Sequence, residues 1–437
     1  MPIDYSSPLQ YLWALLPETV LSLGALVVLM VDVFQRGDSR EPARPAVAWL
    51  TVLFLAGAAV ANGWLLGLED AAPAGPIALD AFRVFTNFLF LGAAALFVPL
   101  SWRFLGQEGM RHGELYVLVM LATVGMMFFA GTRDLMLIFL GLELMSVAVY
   151  VLTGLNRRDR RSAEAALKYF LLGAFSSAFF LFGIAMVYGG AGSVNLTIVR
   201  AAVGIDGVGA NLLLTSGMAF LAVGFAFKVA AVPFHMWTPD AYEGAPAPVT
   251  AFMAAAVKAA AFAAFLRVFL VGFGGMWETW GLMTFWLAVA TMVVANLVAL
   301  AEDSVKRMLA YSSISHAGFL LMPIAAGNAL AVACTMPARW VSSKSSRFEL
   351  VPLMHAALRA SKRSPRPSSV ACGGPEKSRS VAIITSTVSS RQPPIAQPSQ
   401  LRIARAASCR TSSGTSLQRE STRNRQSVRV TSVMRCE

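Results

Sequence analysis

The chain has 437 residues, of which 56% are hydrophobic and only 14% are charged, and its mean hydropathy is +0.61. This composition excludes an ordinary water-soluble domain. The net charge of +12 is unevenly distributed: residues 335–437 hold 18 Lys and Arg against 4 Asp and Glu, whereas the first 334 residues hold 18 against 20. The excess of positive charge therefore gives no support for a nucleic-acid partner, which requires a folded basic surface.

Apolar runs of about 20 residues are long enough to cross a bilayer as helices. Ten such runs precede residue 330, and a soluble helical core does not contain ten in succession. They cover roughly 10–33, 46–67, 79–104, 114–131, 134–155, 164–188, 211–236, 249–271, 280–301 and 306–326. We therefore predict an all-α polytopic membrane protein. The first run lacks a basic segment before it and a cleavage site after it, so we expect it to be retained.

The loops between the runs are asymmetric in basic residues. With the N-terminus outside, eleven basic residues lie at inner loops and four at outer ones, as the positive-inside rule requires. The inner residues are Arg36, Arg40, Arg44, Arg103, Arg111, Arg157, Arg158, Arg160, Arg161, Lys306 and Arg307, and the outer ones are Arg83, Arg133, Arg200 and Arg267. We predict that orientation.

No motif for a metal, a nucleotide or covalent catalysis is present in the sequence. Its four cysteines have neither CxxC nor Cys/His spacing, so the pattern supports no zinc site and no iron–sulfur cluster. A phosphate-binding glycine loop and a Ser/His/Asp arrangement are also absent from the sequence. The chemistry must therefore come from ionisable residues inside the apolar runs.

Glu143 and Lys228 are two such residues, each well inside a run. Ionisable groups in the membrane are costly and mark ion or proton pathways by default. Pro233 follows Lys228 and predicts a break in its helix, which is tolerated where the backbone lines a cavity. We interpret Glu143 and Lys228 as a candidate pair for proton relay, with a permanent structural ion pair as the alternative.

Three further ionisable residues lie in other apolar runs. Lys258 is deep in a run that begins at the Pro246/Pro248 pair, too far from either surface to extend out of the membrane. Lys168 is close to the end of its run, and either a relay role or an interfacial position fits it. His316 is central in the tenth run and fits either a proton shuttle or a structural hydrogen bond. The loop residues His235, Asp240 and Glu243 fit solvated or capping roles.

Three segments, FKVAAVPFHMWTPDAYEGAPAPVTAFMAAAVK, EDSVKRMLAYSSISHAGFLLM and SAEAALKYFLLGAFSSAFFLFG, resemble the antiporter-like membrane subunits of respiratory complex I. Within that family the last two segments are most similar to the N-type subunits of the bacterial proton-translocating NADH–quinone oxidoreductase. The resemblance covers roughly residues 10–330.

The resemblance implies an antiporter-like fold with broken helices and two inverted five-helix repeats. It implies proton-relay roles for Glu143, Lys228 and Lys258, and it also places Lys168 and His316 on family motifs. It implies no cofactor in this chain, since FMN and iron–sulfur clusters belong to partner subunits and NADH and quinone are substrates of the complex. The expected partners are an antiporter-like M subunit, small membrane subunits and the lipid bilayer, in a bacterial inner membrane.

The same resemblance divides the chain. Residues 1–110 correspond to three N-terminal helices, 111–272 to the first repeat and 273–330 to the start of a second, truncated repeat. Residues 331–437 are rich in Ser and Arg, show no helical or strand period, and match nothing in the family. We interpret them as an out-of-frame translation, with a disordered basic extension as the alternative.

Three other functions remain open at this point. A subunit of a multi-subunit cation/proton antiporter or membrane hydrogenase shares the segment around Lys228. A membrane scaffold that moves no protons, and a nonfunctional truncated subunit, are the other two.

Overall fold

The structure, a computed structural model, describes residues 2–35, 45–72, 74–107, 113–206 and 211–326. In that part of the chain, ten helical segments are long and apolar enough to cross a membrane. The prediction of an all-α polytopic membrane protein is therefore confirmed. Two parallel strands of two residues each, β1 (Pro2–Ile3) and β2 (Glu69–Asp70), form the only β-sheet among the described residues. The predicted basic tail after residue 330 lies outside them.

Fourteen α-helices are described. They are α1 (Pro8–Ala14), α2 (Leu16–Gln35), α3 (Pro45–Trp64), α4 (Ala81–Gln107), α5 (Glu114–Gly131), α6 (Leu135–Thr153), α7 (Arg160–Ala191), α8 (Leu196–Asp206), α9 (Leu212–Val229), α10 (Trp237–Gly244), α11 (Ala247–Phe252), α12 (Lys258–Leu266), α13 (Trp277–Ala301) and α14 (Val305–Ala325). One continuous span consists of α11, a π-helical turn at Met253–Val257, α12 and a second π-helical turn at Arg267–Gly272.

The structure differs from the predicted runs at the start of the first run and at the end of the seventh. The first run is two helices that meet at Leu15, and Pro17 lies in the first turn of α2, where a missing N–H costs nothing. The seventh run ends at Val229 instead of residue 236. Ala230 has a φ of 63° there, and the Ala231 N–H donates to the Ala226 carbonyl at 2.8 Å, which closes the helix before Pro233.

Helix α8 was not predicted, because its apolar residues are too few to form a run. Leu196, Val199 and Val203 are buried at the i, i+3 and i+7 spacing of one helix face. The other face is more exposed. This is an amphipathic helix between two spans.

Helix α5 is at the centre of the bundle, with 78% of its span buried. It packs against α2, α4, α6 and α12. Gly125 of α5 and Gly141 of α6 face each other so closely that a Cβ at either one would overlap the opposite backbone. Small residues at helix crossings give membrane helices this close approach. The tight α5–α6 contact fixes the rotation of α6 and hence the direction of Glu143.

Helices α13 and α14 form an antiparallel pair at the side of the bundle. Trp280 of α13 is fully buried against Phe265 and Phe269, with ring centroids 6.5 and 5.5 Å away. Helix α14 packs against α10, in the break that follows α9. The last two described spans are thus attached to the rest of the bundle at the broken helix and at the eighth span.

Candidate proton-relay site

The break between α9 and α11 is held by hydrogen bonds to two helices, α9 and α13. Trp237 Nε1 donates to the Phe227 carbonyl at 2.9 Å, which joins α10 back to the last turn of α9. The Val232 N–H donates to Thr291 Oγ1 of α13 at 3.0 Å. The Val232–Pro233 peptide is cis. The Phe227 carbonyl and the Val232 N–H are thereby bonded inside the protein, as a membrane requires.

Lys228 is in the last turn of α9 and its side chain is 2% exposed. Its Nζ donates to Ser146 Oγ at 2.8 Å and to Tyr150 Oη at 3.3 Å. The same nitrogen lies 5.5 Å from the ring centroid of Tyr150 and 5.7 Å from that of Phe227. The structure thus surrounds the amine with hydroxyl groups and aromatic faces.

Glu143 is on the same helix as Ser146, one turn earlier, and is partly buried. Its carboxylate accepts a hydrogen bond from the Ser177 hydroxyl of α7. Glu143 and Lys228 make no ion pair with each other among the described residues, and their role as a relay pair stays a prediction. No ion pair forms because Ser146 and Tyr150 lie nearer to the Lys228 amine.

Lys258 begins α12 immediately after the π-helical turn and is 6% exposed. Its Nζ donates to the Ser313 carbonyl at 3.0 Å and to the Ser313 hydroxyl at 2.7 Å. The ring of Tyr242 lies 5.7 Å away. The deep burial expected from the sequence is present, and the acceptor is supplied by α14.

Lys168 lies in the third turn of α7 and is 49% exposed. Its Nζ is 2.8 Å from Glu164 and 3.1 Å from Asp240. Asp240 also accepts from Arg307 of α14 at 2.8 Å, and Arg307 reaches Glu243 at 3.2 Å. These five residues form what we call the end cluster, which borders a half-open cavity of about 340 Å³ together with Arg161, Ala165 and Gly244.

The end cluster changes the titration of Asp240. Partial burial alone raises the pKa of this carboxyl group, but the hydrogen bonds and charges of Arg307 and Lys168 outweigh it and lower the pKa below its ordinary value. Asp240 is therefore the charged link between α7 and α14.

The two histidines are in different surroundings. His316 is exposed on the outer side of α14, with its ring 6.1 Å from Phe319, and it makes no contact with Lys258. His235 is half-buried in the break, its ring is 6.3 Å from that of Tyr311, and burial lowers its pKa. The structure therefore brings Lys228 and Ser146 together, and Lys258 and Ser313, but it places His316 apart from both pairs.

Charged pairs that the sequence did not predict lie at the opposite helix ends. Arg83 and Glu18 are 1% and 2% exposed and 2.7 Å apart. Arg267 binds both carboxylate oxygens of Asp80, at 2.8 and 3.0 Å. Burial raises the pKa of Asp80, but the charge and hydrogen bonds of Arg267 lower it to about 2. These arginines had been assigned only to the outer loops by charge counting.

Several residues of the site were missed at the sequence level. Ser146 and Tyr150 follow Glu143 at i+3 and i+7, so helical periodicity alone puts all three on one face of α6. That spacing was a usable signal. Ser313 and Arg307 gave no such signal, because the polar residues of α14 are spread around the helix and mark no single face. Among the described residues, no group of three or more His, Cys, Asp or Glu is placed to hold a metal ion.

Comparison with known proteins gives a consistent result. The chain is 47% identical over 317 residues to NADH-quinone oxidoreductase subunit N of Trichlorobacter lovleyi, covering 72% of this chain and 64% of that protein. It is 46% identical over 324 residues to subunit N of Gemmatimonas aurantiaca, covering 72% and 62%. The chain thus spans slightly less than two thirds of the length of these relatives.

Among solved structures, a chain of respiratory complex I from Thermus thermophilus with bound aureothin is 37% identical. The match covers 72% of this chain and 66% of that chain, with a TM-score of 0.58. The family model described as NADH:quinone oxidoreductase/Mrp antiporter, transmembrane, matches residues 132–364, which is more than half of the sequence. The resemblance seen in the sequence is confirmed, although the family-model match extends to residue 364, beyond the expected limit near residue 330. The chain is a multi-span membrane protein that belongs to the NADH:quinone oxidoreductase/Mrp antiporter transmembrane family.

Proposed function

We propose that this chain is a proton-translocating membrane subunit of an NADH:quinone oxidoreductase, corresponding to subunit N. The single observation that carries the proposal is the burial of two lysines inside membrane spans, each beside an irregular helix segment: Lys228 before the break and Lys258 after a π-helical turn. A buried amine in a membrane span is a functional site by default. The relatives at 46–47% identity carry the subunit N name.

In this proposal Glu143, Lys228 and Lys258 relay protons, with Lys168 at the mouth of the path. His316 is the least supported member, because the structure places it on an exposed helix face. Quinone reduction in other subunits supplies the energy, through changes of charge along the membrane arm. FMN and iron–sulfur clusters reside in those partner subunits, and this chain contributes no redox group.

The proposal includes the division of the chain. Residues 1–110 form the N-terminal helices, 111–272 the first repeat, 273–330 the start of the second and 331–437 the tail. The partners are an antiporter-like M subunit, small membrane subunits and lipid, in a bacterial inner membrane with the N-terminus outside.

The test of function uses membrane vesicles of the source cell that contain the assembled complex. We expect Lys228→Met and Lys258→Met each to lower NADH-driven proton translocation at least about tenfold, because neither variant can carry a proton at that position. Lys306→Met is the matched control, since Lys306 is exposed at the start of α14. Assembly is checked by the amount of complex in the membrane. Proton translocation at the wild-type level in both buried-lysine variants would favour a scaffold that moves no protons.

A cation/proton antiporter subunit is the second candidate, and the family description itself names that class. The same vesicles distinguish it. A proton gradient that responds to added Na⁺ or K⁺ without NADH would support the antiporter, whereas a strict requirement for NADH supports the subunit of the oxidoreductase.

The orientation is tested with single cysteines. In a chain whose four native cysteines are replaced by serine, Ser6→Cys should react with an impermeant thiol reagent from outside the cell, and Arg158→Cys should react only in inverted vesicles. Both native residues are exposed. The opposite pattern would reverse the proposed topology.

A further inference from the structure

The surroundings of Lys228 differ from an ordinary ion pair. Its amine bonds two hydroxyl groups, Ser146 Oγ at 2.8 Å and Tyr150 Oη at 3.3 Å. Ser146 is 1% exposed and Tyr150 is 6% exposed. A buried amine is thus held by neutral groups, while the nearest carboxylate on the same helix face, Glu143, is bonded to Ser177.

Hydroxyl groups and carboxylates serve an amine differently. A hydroxyl can accept a hydrogen bond and can also donate its own hydrogen, whereas an ionised carboxylate only accepts. An ammonium group that loses its proton exchanges one N–H donor for a lone pair. Tyr150 can bond that lone pair by rotating its hydroxyl hydrogen, and Glu143 in its ionised form cannot. Ser146 already donates its hydroxyl hydrogen to the Leu142 carbonyl, so it serves the amine as an acceptor. A buried polar group left without a partner is costly, so a hydroxyl that can both accept and donate stabilises Lys228 in both of its states.

The hydroxyl of Tyr150 is held in place by its ring. The ring packs edge-on against Tyr169, with centroids 4.6 Å apart, and against Phe170 at 5.8 Å. Tyr169 in turn stacks on Trp237 at 4.4 Å. A Cβ at position 173 of α7 would overlap the Tyr150 hydroxyl, so Gly173 leaves the space that this hydroxyl occupies.

Tyr150 lies closer than Glu143 to the C-terminal end of α6. It follows Glu143 by seven residues, or about 10 Å along the helix, in the direction of Lys168 and Asp240 of the end cluster. Ser146 lies between Glu143 and Tyr150. The Lys228 amine therefore occupies the side of Glu143 that faces the end cluster.

We propose that Tyr150 is a positioning residue for Lys228. Its hydroxyl holds the amine together with that of Ser146, and it remains hydrogen-bonded to the nitrogen with and without the transferred proton. Tyr150 itself neither gains nor loses a proton: the proton passes from the ammonium to the Glu143 carboxylate or to water, and the hydroxyl changes from acceptor to donor. This inference rests on the proposed function, since it takes the proton as the cargo of Lys228.

The test is Tyr150→Phe, which keeps the ring and removes the hydroxyl. The matched control is Tyr169→Phe, which removes a buried hydroxyl from the same aromatic cluster without removing a bond to Lys228. Both are measured in vesicles with the assembled complex, as the rate of NADH-driven proton translocation in H₂O and in D₂O, with the rate of NADH oxidation and the amount of complex determined in parallel.

We expect Tyr150→Phe to lower the proton translocation rate about tenfold and to raise its solvent isotope effect, because proton release from Lys228 becomes rate-limiting. Tyr169→Phe should leave both quantities within about twofold of the wild type. Ser146→Ala should act as Tyr150→Phe does, and Ser146→Thr, which retains a hydroxyl, should restore most of the rate. If Tyr150→Phe fails to assemble, the proton translocation rates and isotope effects of Ser146→Ala and Ser146→Thr show whether hydroxyl bonding to Lys228 is required.

The outcomes separate the inference from the function on which it rests. If Lys228→Met and Lys258→Met both translocate protons at the wild-type rate, the proposed function is wrong. If Lys228→Met is inactive while Tyr150→Phe matches Tyr169→Phe in rate and isotope effect, the function stands and the role of Tyr150 is overturned. A lowered rate with an unchanged isotope effect would also overturn it, because that is the result of a general packing defect.

Discussion

Lys258 and Ser313 form the closest polar contact between the buried lysines and α14. The Lys258 amine donates to the Ser313 carbonyl at 3.0 Å and to its hydroxyl at 2.7 Å. One serine thus supplies two acceptors to an amine that is 6% exposed. The contact joins α12 to α14 inside the membrane. Lys258 therefore keeps both hydrogen bonds only while α14 stays in this position.

Ser313→Ala is expected to lower the free energy of unfolding by about 1 to 3 kcal/mol, the usual range for losing a buried hydrogen bond to a charged group. Because the backbone carbonyl of residue 313 remains as an acceptor, we expect a loss near the lower end of that range. Thermal unfolding of the purified chain in detergent measures the change. Ser312→Ala, one residue earlier on α14, is the control. Equal stabilities for the two variants would contradict a bonded Lys258.

Asp240→Asn tests the end cluster. It removes the charge that Lys168 and Arg307 share, so α10 should become less firmly attached to both α7 and α14. We expect a destabilisation on the order of 1 kcal/mol, since partly exposed ion pairs contribute little each and more as a network. Glu164→Gln, which removes only the exposed pair within α7, should have little measurable effect. The difference between the two variants should shrink in high salt, and a difference independent of salt would argue against an electrostatic cause.

Asp80 and Arg267 predict a dependence of stability on pH. The folded-state pKa of Asp80 is about 2, whereas an unfolded aspartate has a pKa of about 3.9. Because the folded value is the lower one, the pair contributes its full stability above about pH 4 and loses it as the pH falls toward 2. The wild type should therefore exceed Asp80→Asn in thermal stability at pH 7 and approach it near pH 2. Asp303→Asn, at an exposed position before α14, should show no such convergence.

Ala230 is a test of the helix break. Its φ of 63° lies in the left-handed region, which costs a residue with a Cβ about 1 kcal/mol. Ala230→Gly relieves that strain, but it removes a buried methyl group and makes the unfolded chain more flexible. We therefore expect the free energy of unfolding to change by no more than about 1 kcal/mol. Ala230→Val should destabilise the protein by clearly more, because a β-branched residue fits this conformation poorly. Equal tolerance of Gly and Val, measured by thermal unfolding, would show that the break does not require this backbone conformation.

The sequence alone determined the membrane architecture. Hydropathy is a local property, so the ten spans and the burial of Lys228 and Lys258 could be predicted from the runs that contain them. The position of the break could be predicted from Pro233, although the helix ends earlier, at Val229, because Ala230 closes it. The segments around Lys168, Lys228 and His316 were also sufficient to identify the family.

Only the tertiary structure decided which groups meet. Helix rotation and the choice of neighbours depend on packing, such as the contact of Gly125 with Gly141, and hydropathy contains no information on either in a span that is apolar on all sides. For this reason the sequence could not name Ser146 and Tyr150 as the hydrogen-bond partners of Lys228, to which the packed helices bring it. The exposed position of His316 has the same cause, since the rotation of α14 is fixed by its contacts with α10 and α13.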